Sequence, residues 1–98
     1  MGKSAARQEA SDSAASAARI FSVLCEPARL EILSALAKKG GCVSALQLAL
    51  GRSQPNVSQH LRVLRDCGLV SAKREGRKIC YSLAKKEVSQ LLAVAGKM

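Results

Sequence analysis

A mainly α-helical domain with about five helices and one small two-stranded β-hairpin is the fold this sequence predicts. Three observations lead there. Hydrophobic residues make up 48% of the chain while Phe21 and Tyr81 are its only aromatics, so the core is built of Leu, Val, Ile and Ala, as in a mostly helical domain. Two helical patterns are joined by only Gly51, Arg52 and Ser53, a junction tight enough for a helix-turn-helix. After Leu69 the apolar residues alternate instead of recurring at helical spacing, as a hairpin requires. Together these describe a winged helix-turn-helix.

The elements follow in order. Residues 1–10 (MGKSAARQEA) are polar and are expected as a flexible N-terminal tail, with residues 11–98 forming the domain. SDSAASAARIFSVL reads as a first helix capped by Ser11 or Ser13 and closing on Ile20, Phe21, Val23 and Leu24. Pro27 suits the first position of a second helix, in which Leu30, Ile32, Leu33 and Leu36 form the buried stripe and Gly40 is the stop. Ser44 can cap a short third helix that turns Leu46 and Ala49 or Leu50 inward and ends at Gly51. Ser53 caps the fourth helix, which runs to Cys67 with Gly68 as its C-terminal glycine. LVSAKRE and KICYSL are the hairpin strands, joined through Glu75-Gly76-Arg77. In AKKEVSQLLAVAGKM, Val88, Leu91, Leu92 and Ala95 recur at helical spacing, an apolar face that must pack on the body or on a partner.

The fourth helix carries the informative chemistry. With Val57 at the centre of its inward face, a step of about 100° per residue places Leu61 and Leu64 beside it. Pro55, Ser58, Gln59 and Arg62 fall on the opposite arc, with Asn56 at its edge. Hydrogen-bonding side chains are thus concentrated on the first two turns, the part of a recognition helix that meets base edges in the major groove. Gln and Asn pair bidentately with adenine, and Ser and Arg reach phosphate or guanine. A plain solvated face would have the same composition. The tight turn before the helix and the cationic hairpin after it weigh against that reading: residues 52–78 hold seven Lys or Arg against two acids. Arg52, Ser53, Gln54, Asn56, Ser58, Gln59 and Arg62, with Lys73, Arg74, Arg77 and Lys78 on the wing, are the candidate DNA contacts.

Composition agrees. Sixteen basic against seven acidic residues give a net charge of +9, which suits a polyanion such as double-stranded DNA. No apolar run approaches the about 18 residues of a membrane span, and no signal peptide is visible, so a cytoplasmic protein without membrane contact is expected. His60 stands alone, with no acidic pair or Gly-rich phosphate loop near it in sequence, and reads as a half-buried structural residue. No catalytic residues, metal site or cofactor is expected. The four cysteines, Cys25, Cys42, Cys67 and Cys80, form no Cys-x-x-Cys pair, which disfavours a zinc finger and leaves free thiols as the default.

LCEPARLEILSAL, followed by CVSALQLALGRSQPNVSQHLRVLRDCGLVSAKREGRKICYSL, resembles the ArsR/SmtB family of bacterial and archaeal repressors over roughly residues 18 to 95. The resemblance implies a homodimer joined through the first and last helices, here through Ile20, Val88, Leu91 and Leu92. It also implies operator binding that is lost when an inducer arrives. Many members carry a metal site in the pattern Cys-Val-Cys-Asp-Leu-Cys, where this chain reads Cys42-Val43-Ser44-Ala45-Leu46-Gln47. A second family site uses Asp, His and Glu of the last helix, which here holds only Glu87 and no His. Neither site is complete, since such metals need several thiolates or imidazoles.

The expectation is therefore a repressor released by a small inducer, with a thiol-based trigger (redox, persulfide or metalloid) as one option and an unrelated or absent inducer as the other. Cys42, ahead of a helix N-terminus that favours thiolate, is the first candidate sensor; Cys25 and Cys80 are the alternatives. Each cysteine reads equally well as a small buried hydrophobe. The contrasting function is a winged-helix protein-interaction module without a DNA role, which explains the charge but not the amide-bearing helix face.

Overall fold

The computed structural model describes residues 2–98; Met1, part of the expected tail, lies outside them. Five helices and a three-stranded sheet follow in the order α1 (Gly2–Leu24), α2 (Pro27–Lys38), β1 (Gly41–Cys42), α3 (Val43–Leu50), α4 (Gln54–Asp66), β2 (Val70–Glu75), β3 (Lys78–Leu83) and α5 (Lys86–Lys97). The winged helix-turn-helix is present, with one strand more than expected. The first helix begins at Gly2, well before Ser11 or Ser13, so no element boundary falls at residue 10. Its final turns reach the body: Ile20, Val23 and Leu24 pack on the core, whereas residues 11–19 are exposed.

The core is a single apolar cluster. Ile32, Leu33 and Leu36 of α2, Leu46 of α3, Val57, Leu61 and Leu64 of α4, Leu69, Val70 and Val88 are all buried together. The period-3.6 face expected for α4 is thus the face that is buried. In α2 the stripe is shifted: Ala28 is buried and Leu30 is 37% exposed. Its end also differs. Lys39 is extended and caps the helix by donating its N–H to the Ala35 carbonyl at 3.0 Å, so Gly40 is not the stop. Gly40 is needed for another reason: a Cβ there would lie 2.9 Å from the Tyr81 carbonyl oxygen.

That close approach accompanies the unexpected strand. Gly41 and Cys42 pair antiparallel with Tyr81 and Cys80, and the sheet order is β1-β3-β2. In the hairpin Val70 opposes Leu83 and Glu75 opposes Lys78, so the turn is the two residues Gly76-Arg77. Gly76 has φ 64° and no non-glycine described residue has positive φ, the pattern of a type II′ hairpin turn. Cys42, not Ser44, occupies the N-cap of α3.

Candidate nucleic-acid interface

Two short linkages aim α4. Gly51 takes the left-handed conformation at φ 64° and closes α3 with a 2.8 Å hydrogen bond from its N–H to the Gln47 carbonyl; a side chain would be strained there. Ser53 caps α4, its hydroxyl accepting from the Asn56 N–H at 3.3 Å. At the far end Gly68 and Leu69 donate to the Arg65 and Leu64 carbonyls, the paired bonds of a Schellman closure that turns the chain into β2. With Val57, Leu61 and Leu64 inward, Gln54, Gln59 and Arg62 are exposed.

The polar residues of this face are not equally free. Gln54 donates to the Ser58 hydroxyl at 2.7 Å, an i,i+4 pair that holds both side chains together on the leading turns. Arg52 donates from Nε and Nη2 to Glu31 Oε2 of α2, at 3.0 and 2.7 Å, and from Nη1 to Asn56 Oδ1 at 3.4 Å. Arg52 is thus engaged within the chain, with its charge offset by Glu31, and it fixes the turn and the start of α4 on α2. Asn56 is drawn towards that cluster. Glu31 is the residue that sequence reasoning missed; its i,i+4 and i,i+3 neighbours gave no sign of a partner in the turn. His60 accepts a hydrogen bond at Nδ1 from Arg29 at 3.3 Å, and Arg29 also donates to the Val23 carbonyl at 3.2 Å, so the lone histidine helps to tie α4 to the α1–α2 junction.

On the wing, Lys73, Arg74, Arg77 and Lys78 are all exposed. The strand register puts Lys73 beside Cys80 on one face and Arg74 beside Ile79 on the other. A groove of about 360 Å³ runs between the wing and α4, with Cys42, Ser44, Gln54, Ser58, Arg77 and Lys78 in its walls. A larger hollow of about 690 Å³ lies between α2 and α3, walled by Leu30, Ala35, Leu46 and Leu50 among others. It holds none of the α4 or wing residues and is not the polar site.

This geometry has relatives. Residues 26–72, from the α2 N-cap into β2, match the family described as bacterial regulatory protein, arsR family. A transcriptional repressor SmtB homologue of Synechocystis is 44% identical over 80 residues, covering 82% of this chain and 61% of that one. The regulator NmtR of Mycobacterium tuberculosis is 45% identical over 82 residues, covering 84% of this chain and 68% of its own. The chain belongs to the arsR family. The homodimeric winged helix-turn-helix DNA-binding domain of a Mycobacterium bovis protein superposes with a TM-score of 0.81 at 32% identity, over 88% of this chain and 80% of that domain. As an ArsR/SmtB-family member the protein is a DNA-binding transcriptional regulator.

The candidate thiols and dimer residues fall as follows. Cys25 is exposed at the α1–α2 junction, Cys42 and Cys80 are half-buried in the sheet, and Cys67 is half-buried at the end of α4. Cys42 Sγ lies 3.1 Å from the Ser44 hydroxyl. That hydroxyl is the main influence lowering the Cys42 pKa, with the Ala45 amide next and the Lys78 charge adding to them against partial desolvation. Among the described residues no three metal-ligating side chains cluster. Ile20, Leu91 and Leu92 are half-buried, but Val88 is 6% exposed and belongs to the core cluster of the chain itself. Val88 therefore holds α5 to the body from beneath. Phe21 at 58% and Val94 at 60% exposure are the open apolar side chains of α1 and α5.

Proposed function

We propose that this ArsR-family regulator is a homodimeric repressor that reads a duplex operator with the leading turns of α4 and grips the adjacent backbone with the wing. The observation that carries it is the outward face of α4. Gln54 and Ser58 of its first two turns share a groove with Arg77 and Lys78 of the wing, and Gln59 is exposed on the same helix. Side-chain amides there match adenine edges in the major groove, and Arg77 and Lys78 supply phosphate contacts. Arg62, exposed one turn further on, adds a second reach towards the backbone. Arg52 and Asn56 position the reading helix, and Ser53 starts it.

Dimerisation is supported by α1. Residues 11–19 of α1 are exposed and gain too little from helix hydrogen bonds alone to stand unsupported, and Phe21 and Val94 leave apolar surface open on the two terminal helices. Ile20, Leu91 and Leu92 are half-buried on the same two helices. The release signal in this reading is a small inducer working through thiol chemistry in the cytoplasm. The test is selection of bound duplexes from a random pool by the reduced protein. Enrichment of an inverted repeat with half-sites about one DNA turn apart is expected; equal recovery of all duplexes would sink the reading.

A further inference from the structure

We propose that Cys42 and Cys80 form a dithiol site that a hydroperoxide oxidises to an intrachain cross-strand disulfide, pinning the wing to the start of α3. The pairing is a matter of register. Cys42 of β1 stands directly opposite Cys80 of β3. Directly opposed residues of an antiparallel pair project to the same face with Cα atoms about 4.5–5.5 Å apart. That range lies inside the separation a disulfide spans without backbone movement, about 4.4–6.8 Å. Both thiols are free and half-buried, within reach of a small oxidant. Cys25 and Cys67 have no such partner in the sheet.

The surroundings assign a role to each sulfur. Ser44, the Ala45 amide and Lys78 favour the Cys42 thiolate, so Cys42 is the nucleophile. Partial burial and the Glu75 carboxylate keep Cys80 protonated, and Cys80 Sγ donates to Glu75 Oε2 at 3.5 Å. In the first step the Cys42 thiolate attacks one peroxide oxygen. The O–O bond breaks, hydroxide leaves and takes a proton from solvent as water, and Cys42 becomes a sulfenic acid. In the second, Cys80 gives its proton to Glu75 as its sulfur attacks the Cys42 sulfur. The S–O bond breaks, and the departing hydroxide takes that proton as the second water. Two thiols lose two electrons and the peroxide is reduced to water.

The site adjoins the DNA-facing groove, because Cys42 shares its walls with Gln54, Ser58, Arg77 and Lys78. The new bond takes Cys42 from Ser44 and fixes strand β3 of the wing relative to β1 and the start of α3. The link to DNA rests on the function proposed above; the disulfide itself does not.

The experiment treats the reduced full chain with hydrogen peroxide, blocks remaining thiols, and maps unreduced peptides by mass. A Cys42–Cys80 crosslink within one chain is expected, with Cys25 and Cys67 still alkylated. It should be absent in Cys42→Ser and Cys80→Ser and retained when Cys25 and Cys67 are both serine. Recovery of both sheet thiols alkylated, or a bond between two chains instead, overturns the site. Affinity for the selected duplex should fall severalfold on oxidation, return with reductant, and stay constant in Cys80→Ser. An unchanged affinity in crosslinked native protein overturns the coupling. A reduced protein that prefers no duplex counts against the function reading alone, since the crosslink is scored without DNA.

Discussion

At the scale of single residues, the partners of each polar side chain separate reading from positioning. Gln59 is exposed on the outward face of α4, so Gln59→Ala should cost about 1–3 kcal/mol of discrimination at one base pair, read as a relaxed preference in duplex competition. Arg52 lies against Glu31 and Asn56, and its removal should behave differently. Arg77→Ala should reduce the slope of log affinity against log salt by about 1, because an exposed wing cation displaces counterions. Arg52→Ala should leave that slope nearly unchanged while lowering stability by about 0.2–1 kcal/mol, the range of partly exposed ion pairs. Titrations of both variants at several salt concentrations distinguish the two roles. For Cys42, whose pKa is lowered, the thiolate forms at lower pH than in an ordinary cysteine; its alkylation rate should therefore rise at lower pH than that of a free thiol in a denatured chain.

At the scale of elements, the caps and close approaches decide where each piece starts and stops. Ser53→Ala removes the side chain that accepts from the Asn56 N–H and should destabilise the fold by about 1 kcal/mol in thermal unfolding. Gly40→Ala should cost about 1–3 kcal/mol, because its methyl would press on the Tyr81 carbonyl and force β1 from β3. These positions also mark how far the elements were legible. The α4 face was, because Val57, Leu61 and Leu64 repeat with the helical period and Ser53 and Gly68 punctuate the ends. The hairpin was, because alternation and the Gly76 turn coincide. Strand β1 was not, since two residues hold no period, and Gly40 looked like a helix stop when its use is a long-range contact with Tyr81. Leu30 is exposed because the buried face of α2 runs through Ala28, Ile32 and Leu36 at i, i+4 spacing, and a step of about 100° per residue leaves Leu30 largely off that face. The Arg52–Glu31 pair was illegible for a related reason: it joins residues that only the tertiary fold brings together.

At the scale of the whole molecule, charge and unpacked apolar surface set the behaviour. A net charge of +9 should make association with DNA fast at low salt and steeply weaker as salt rises. Mass measurement at micromolar concentration should find two chains, and Val94→Lys, altering a side chain that is 60% exposed, should shift the population towards one chain without lowering helix content. The pairing of β1 with β3 has a further consequence for the order in which the chain folds. Gly41 and Cys42 meet Tyr81 and Cys80 across the whole of α3, α4 and β2, so these elements form a loop of about forty residues tied at its neck. Closing that neck carries the entropy of a long loop and should come late in folding, and its amides should exchange with solvent only when the loop opens as a unit. A covalent bond at the neck would remove about 4 kcal/mol of chain entropy from the unfolded ensemble. Oxidised protein should then melt at a higher temperature than reduced protein, even as it loses its hold on DNA.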